Sequence, residues 1–221
     1  AWNFDLNNTF GQNQMHYSVA NTLNSSLGAS SPLSFDAGGF GLMQNVTGIN
    51  LTRKFRNGLK NTNVALGSEL RVENYYIFAG EEGSWKKYAN PDDLPGGSQT
   101  FPGYRPENEV NKIRTNFGAY ADVETDITRS FLLTFATRFE RYSDFGNALN
   151  AKLSLRIKTN EVFAIRGSAS TGFRAPSLAQ SHFSAIYNDV VDGVSFEKVL
   201  TANNSSITKA LGVQSLKQET A

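Results

Sequence analysis

Apolar residues recur at every second position through most of this chain. From Ile113 to Ile127 the odd positions read Ile, Thr, Phe, Ala, Ala, Val, Thr, Ile, and the even ones read Arg, Asn, Gly, Tyr, Asp, Glu, Asp. One face of that segment is uncharged and the other carries four charges, the pattern of a strand with one apolar side. Leu149–Ile157 alternates in the same way against Asn150, Lys152, Ser154 and Arg156, and Phe131, Leu133, Phe135 and Phe139 do so between Ser130 and Tyr142. Further stripes run through Trp2, Phe4 and Leu6, through Ile49, Leu51 and Phe55, and through Val64, Leu66, Leu70, Val72, Tyr76 and Phe78. No segment sustains a helical period. The pattern predicts an all-β antiparallel meander of about seven strands, at 1–19, 41–55, 62–79, 113–127, 130–142, 148–158 and 161–172, with an eighth starting at Gln214–Ala221. Phe131, Leu133, Phe135, Leu153 and Leu155 should share a face, opposite Arg156.

The connections alternate in length. Short ones follow the strands ending near 55, 127 and 158, the first being the turn "RNGLKN". Long ones span Ala20–Phe40, Gly80–Lys112 and Phe173–Val213, with the compact "SDFGN" of Ser143–Asn147 as the exception. Successive connections of a meander emerge at opposite ends, so tight turns fall on one side and wide loops on the other, as in an outer-membrane barrel. Alternation alone would favour the commoner soluble β-sandwich. Strand length argues the other way, because soluble strands average about 5–6 residues and a tilted membrane crossing takes about 9–11. Aromatics near strand ends, Trp2, Tyr75, Tyr76, Phe78 and Tyr142, suit interfacial girdles.

Composition narrows the picture only a little. The 221 residues are 39% hydrophobic with a net charge of +1, which leaves no electrostatic footprint for nucleic acid. Zero cysteine removes disulfides and thiolate metal sites. No apolar run approaches the roughly 20 residues of a membrane helix, so any membrane role falls to strands. The chain opens at "AWNFDL" with no signal-peptide pattern, and reads as a piece of a longer polypeptide.

Several motifs then occur together in a telling order. "RYSDFGNALNAKLSLRI" followed by "AIRGSASTGFRAPSLAQ" closely resembles the late-barrel region of TonB-dependent outer-membrane receptors, where an Arg-Tyr-x-Asp-Tyr-Ser-type strand end, a Lys-x-x-x-Arg strand and Gly-x-Arg-Ala-Pro recur. The likeness extends through "NTLNSSLG", "GSELRVENYYIFAGEEGSW", "NFGAYADVETDI" and "SLKQET", the last with Gln218 where the family usually has proline. The resemblance implies that residues 1–221 are part of the β-barrel domain, a segment of a 22-stranded transmembrane barrel without its plug and remaining strands. It also implies a Gram-negative outer membrane, a lipid surround, energy from TonB relayed through the absent plug, and a scarce small nutrient as cargo: an iron–siderophore complex, cobalamin or a sugar. The alternative is a soluble secreted β-domain that binds carbohydrate or protein.

Under the first reading the charges on the polar parity, Glu69, Arg71, Glu73, Arg114, Asp122, Glu124, Arg138, Glu140, Lys152, Arg156 and Arg166, face the lumen or plug, mostly pairing with one another or with the plug. Cargo contacts then fall to the loops, with Trp85, Tyr88, Tyr104, Arg174, Phe183 and Tyr187 as candidates. In "GFRAPS", Gly172 and Pro176 should end a strand and steer the chain into its loop, and Arg174 should anchor that exit.

Enzymatic signals are weak. His16 and His182 are the only histidines and form no metal spacing. No cofactor is implied. "GGFG" at Gly38–Gly41 lacks the strand and helix of a phosphate loop and reads as loop-to-strand chain, Asp92 and Asp93 beside Pro91 read as turn chemistry, and no carboxylate pair stands out as glycosidase-like.

Overall fold

The structure is a computed structural model that describes residues 1–56, 61–99, 101–191 and 194–220. Seven strands form one antiparallel sheet in sequence order: β1 (Asn3–Ala20), β2 (Ser34–Phe55), β3 (Thr62–Phe78), β4 (Val110–Asp126), β5 (Phe131–Tyr142), β6 (Gly146–Lys158) and β7 (Ala164–Ser170). The sheet does not close on itself within this chain. Just past β7, the two-residue β8 (Phe173–Arg174) pairs antiparallel with β11 (Glu219–Thr220), the expected start of an eighth strand.

Antiparallel register places directly opposed side chains on one face, and here it sorts the chain by polarity. Leu6, Ile49, Ser68, Ala119, Phe139 and Leu149 lie in one continuous row. Val64, Val123, Phe135, Leu153 and Ala169 form another. Phe131, Leu133 and Phe135 stand opposite Ile157, Leu155 and Leu153, while Arg156 takes the other face. The apolar face is bare: Phe4, Leu6, Leu70, Phe117, Phe135, Leu149 and Leu153 are all exposed, Leu149 at 70%. Buried apolar side chains gather elsewhere, on the polar parity at the wide-loop end, where Tyr75, Ile77, Tyr104, Leu178 and Ala185 form a cluster with Tyr17, Phe40, Phe101 and Phe183 around it.

Several boundaries differ from the pattern-based expectation. β2 begins at Ser34 rather than 41, so the loop before it shortens to 21–33 and "GGFG" lies inside the strand. Alternation is lost there because Gly38, Gly39 and Gly41 carry no side chain to mark a face and the pairing with β1 shifts by one residue beside them. Gly38 takes φ +75°, and a Cβ there would run into the Phe78 carbonyl and the Gly80 amide. β4 starts at Val110, three residues early. β7 is shorter than expected because the Asn160 side chain accepts from the Val162 and Phe163 amides, drawing them into the turn. The turn predicted at Arg56–Asn61 lies largely outside the described residues, which omit 57–60. Tyr75 and Tyr142 are not girdle residues: parity puts them on the polar face with Glu73 and Glu140, and Tyr75 is buried. Trp2, Tyr76 and Phe78 do take the apolar parity, Trp2 edge-on to Phe55 at the turn end.

One close approach on the polar face generates a stability test. The Tyr120 ring lies across Gly67, where any Cβ would collide with it, and the Tyr120 hydroxyl donates to Asn50 Oδ1 at 2.8 Å. Gly67→Val should displace the ring and break that bond, costing about 1–3 kcal/mol. Urea unfolding in detergent micelles measures it, and in a Tyr120→Ala background most of the cost should vanish.

Candidate functional site

Along the polar face the charges divide into two populations. Toward the wide-loop half, Glu69 Oε1 accepts from Arg71 Nη2 at 2.9 Å and from Arg138 Nη2 at 3.4 Å. Arg138 Nε also donates to Glu140, whose other oxygen accepts from the Tyr142 hydroxyl at 2.6 Å. Gly118, between them in the register, leaves the space that the Arg138 guanidinium occupies. This ladder ties β3 to β5 across β4. At the turn half, Asp122, Glu124, Lys152, Arg156 and Arg166 make no ion pair among the described residues.

Arg114 is the junction between wall and loops. Its side chain is 7% exposed and meets Glu73 Oε2 at 2.6 Å. Nη1 donates to the Pro176 carbonyl at 2.7 Å and lies 3.5 Å from Asp144 Oδ2, and the guanidinium faces the Tyr142 ring at 5.5 Å. One strand residue therefore holds the start of the 175–218 excursion and the β5–β6 turn at once. Pro176 contributes its carbonyl as well as its missing donor. Just beyond it, Ser177 caps the helix α2 (Leu178–His182), accepting from the Gln180 amide while the Gln180 side chain accepts from the Ser177 amide. Beneath α2 lies a cavity of about 240 Å³ lined by Met15, Phe40, Leu42, Tyr75, Leu178 and the Glu73–Arg114 pair. Its walls are mostly apolar with one charged pair at the rim, a form that suits a small ligand or an inserted side chain.

The loops interlock above this cavity. Asn24, fully buried, donates through Nδ2 to the Gly83 and Lys86 carbonyls at 2.9 Å each and accepts from Ser26, so the 21–33 and 79–109 loops form one unit. Trp85, at the end of α1 (Glu82–Trp85), donates to the Gly80 carbonyl at 3.1 Å, and Tyr88 lies under the Lys86 ammonium. Burial pushes the Tyr104 phenol up to about 12, and Tyr104 packs against Phe183, Tyr17 and Phe101. The β9–β10 hairpin (Ala185–Val191, Val194–Leu200) joins the same cap through Arg105, which bonds Glu197.

The six loop candidates thus divide by setting. Trp85, Tyr88, Tyr104 and Phe183 are built into the cap, whereas Arg174 is 70% exposed at the foot of the excursion, 3.9 Å from Glu219, and Tyr187 is 39% exposed on the hairpin. The structural roles of Asn24 and Asp144 escaped the sequence reading, as did the part played by the Pro176 carbonyl. "NTLNSSLG" entered only as part of the family likeness, within a wide loop, and nothing in it shows that Asn24 would be buried beneath a loop some 60 residues away.

The whole chain, residues 1–221, matches the family model described as TonB dependent receptor-like, beta-barrel. Among solved structures it is similar to the siderophore receptor PirA from Acinetobacter baumannii, with a TM-score of 0.60 and 16% identity over 98% of this chain and 28% of that one. It is also similar to a ferric enterobactin receptor (PfeA) variant from Pseudomonas aeruginosa, with a TM-score of 0.50 and 13% identity over 83% of this chain and 24% of that one. The chain therefore spans about 28% of the length of PirA. No curated protein matches it.

Two outcomes follow from the Arg114 junction. Arg114→Met strands the Glu73 carboxylate, only 12% exposed, and should loosen the excursion by about 3–5 kcal/mol. Limited proteolysis within 177–213 should accelerate, and Glu73→Gln in the same chain should recover part of the loss. The second concerns acid. Burial, then Lys112 and Arg114, hold the His182 imidazole below its ordinary range, with Asp144 opposing. The unpacked loop therefore takes up a proton more readily than the packed one. Packing is most stable above the ordinary histidine value of about 6.5 and weakens as pH falls through it toward the depressed value. Relative to the intrinsic base-catalysed rate at each pH, α2 amides should be less protected from hydrogen exchange at pH 5.5 than at pH 7.5, and His182→Gln should remove the difference.

Proposed function

The chain belongs to the TonB-dependent receptor-like β-barrel family, and on that premise we propose that it forms part of the wall and loop cap of a receptor importing a scarce nutrient across the outer membrane of a Gram-negative bacterium. One observation carries the reading: a belt of exposed apolar side chains crossing strands of 12 to 22 residues, giving way to polar side chains such as Asn8, Asn45 and Gln14 toward the wide-loop end, opposite a charged face onto which the loops fold. In water such a face drives association. Against lipid it is the surface a barrel requires, with every strand backbone group paired along the ladder.

In this reading the polar face lines the lumen, and Glu69, Arg71, Glu73, Arg114, Arg138 and Glu140 stiffen its outer half. Asp122, Glu124, Lys152, Arg156 and Arg166 face whatever fills the inner half. Cargo meets the cap first, through exposed groups such as Arg174 and Tyr187 and through the aromatic cluster of Tyr104 and Phe183, with Trp85 and Tyr88 shaping the rim. TonB acts through a plug domain inside the barrel. Siderophore receptors among the structural relatives make iron–siderophore complexes the first cargo to test, with cobalamin and sugars as comparisons.

The full-length receptor provides the test. Deleting Ser181–Ala210 should abolish high-affinity cargo binding and uptake in iron-limited cells while leaving outer-membrane insertion intact, and unchanged affinity and transport would exclude loop capture. The membrane assignment is checked separately: Leu153→Arg on the apolar face should cost about 2–4 kcal/mol in lipid, whereas Thr134→Lys, on the polar face in the same row as Glu124, should change stability by no more than about 0.5 kcal/mol. Equal costs at the two positions would reverse the assignment of the faces.

A further inference from the structure

The apolar face holds one cation that its surroundings do not match. Arg53 on β2 takes the apolar parity, with Leu51 and Phe55 next to it along that face, Val64 opposite on β3 and Trp2 on the β1 side. Its diagonal neighbours are Phe4, Leu66 and Thr62. None of these carries a charge, and Arg53 has no acidic partner among the described residues. The acids nearest in register, Asp5, Glu124 and Asp126, take the opposite parity. Trp2 stands between Arg53 and the open edge of the sheet, so this setting does not depend on what pairs there.

The guanidinium is nevertheless held in place. Its central carbon lies 4.6 Å from the centre of the Phe55 ring and 5.8 Å from that of Trp2, and the two rings stand edge to face at 6.3 Å. Aromatic rings hold a guanidinium by its face and leave its N–H edge free for an oxyanion. One row nearer the turns, the Thr62 and Thr125 hydroxyls bond each other at 2.8 Å, a pair that keeps one proton for a further acceptor. In the opposite direction the bare belt begins at once, with Phe4 and Leu66 exposed. A cation on a lipid-facing wall is costly at mid-depth and nearly free at an interface, and tryptophan favours the same level. Arg53 therefore marks the turn-end rim of the belt. A second guanidinium of this face, Arg141 on β5, lies in the row of Asn8, Thr47 and Phe117 nearer the wide loops and has no ring against it among the described residues.

We propose that Arg53, clamped by Trp2 and Phe55, is a binding site for the phosphate of one phospholipid in the leaflet at the turn end, whose acyl chains lie along Phe4, Leu51 and Leu66. The inference rests on the reading that the apolar face meets lipid. The two halves of the site select an amphiphile: the guanidinium fork takes the phosphate oxygens, and the apolar rows beside it take hydrocarbon. Inorganic phosphate would gain the first and forgo the second. A sugar headgroup without phosphate would leave the guanidinium unpaired.

The test uses the full-length receptor purified in dodecyl maltoside, with bound lipids counted by native mass spectrometry as dioleoylphosphatidylglycerol is added. One binding step should weaken about tenfold in Arg53→Gln. Arg53→Lys keeps the charge without the fork, and Phe55→Leu removes one ring; each should weaken the same step about threefold. Arg141→Gln should leave it unchanged. Dioleoylglycerol glucoside, with the same chains and no phosphate, should fill that step at least about tenfold more weakly, and so should inorganic phosphate, which has no chains. The site is overturned if no step responds to Arg53→Gln, if Arg141→Gln weakens the same step equally, or if the glucoside binds there as tightly as phosphatidylglycerol. Equally tight binding of inorganic phosphate would overturn it as a lipid site. The Leu153→Arg and Thr134→Lys comparison judges the lipid face independently, so failure here alone would leave that face standing.

Discussion

Antiparallel pairing in strict sequence order is the constraint on which the molecule depends. Once each strand pairs with its chain neighbour, parity alone decides which face a side chain takes, and a slip of one residue would exchange the two faces along a whole strand. Apart from a one-residue shift between His16 and Ser18 on β1, the register holds through six interfaces, so Leu6 and Leu149 end in one row although they are far apart in sequence. A bare apolar face on one side and a charged face on the other are consequences of that bookkeeping, since no conventional core lies between two layers. The buried cluster at the loop end packs loops onto wall and does little to hold the strands together.

The 79–109 loop is held to the β2 backbone through Glu81 and Tyr104, and Arg114 supplies the hydrogen bond that ties the start of the 175–218 excursion to the wall. A guanidinium suits that position because its planar fork can serve the Glu73 carboxylate and a backbone carbonyl at once. Lysine, a point charge, would serve one or the other. The aromatic cluster above it supplies area but little direction, so the orientation of the 175–218 excursion depends on the polar junction. The same logic joins the 21–33 and 79–109 loops, where buried Asn24 pairs with two carbonyls and leaves neither end free to drift.

Charge on the inner face is graded. Near the loops, opposite charges lie within bonding distance and neutralise one another, making a stiff rim. Near the turns, acidic and basic stripes are kept a strand apart, so the wall presents a dipolar surface to whatever lies against it. A wall built this way is stiffened near the loops and keeps its unpaired charge near the turns.

Fold class, strand order and facing were legible in the amino-acid sequence because a period of two is a local property: Ile113–Ile127 declares its two faces without reference to any other segment. The polar-parity charges from Glu69 to Arg166 could be assigned to one side for the same reason. The early start of β2 was not legible, because Gly38, Gly39 and Gly41 carry no side chain to mark a face and the pairing with β1 shifts by one residue beside them. Tyr75 and Tyr142 looked like girdle residues by their position near strand ends, although their shared parity with Glu73 and Glu140 already put them on the polar face, where the pairing places them. Which charges found partners was likewise a tertiary outcome. Arg114 and Arg156 look alike along the chain, yet one meets Glu73 across a strand and the other meets Arg166, because partner choice depends on the neighbouring strand's register and on where a distant loop comes to rest.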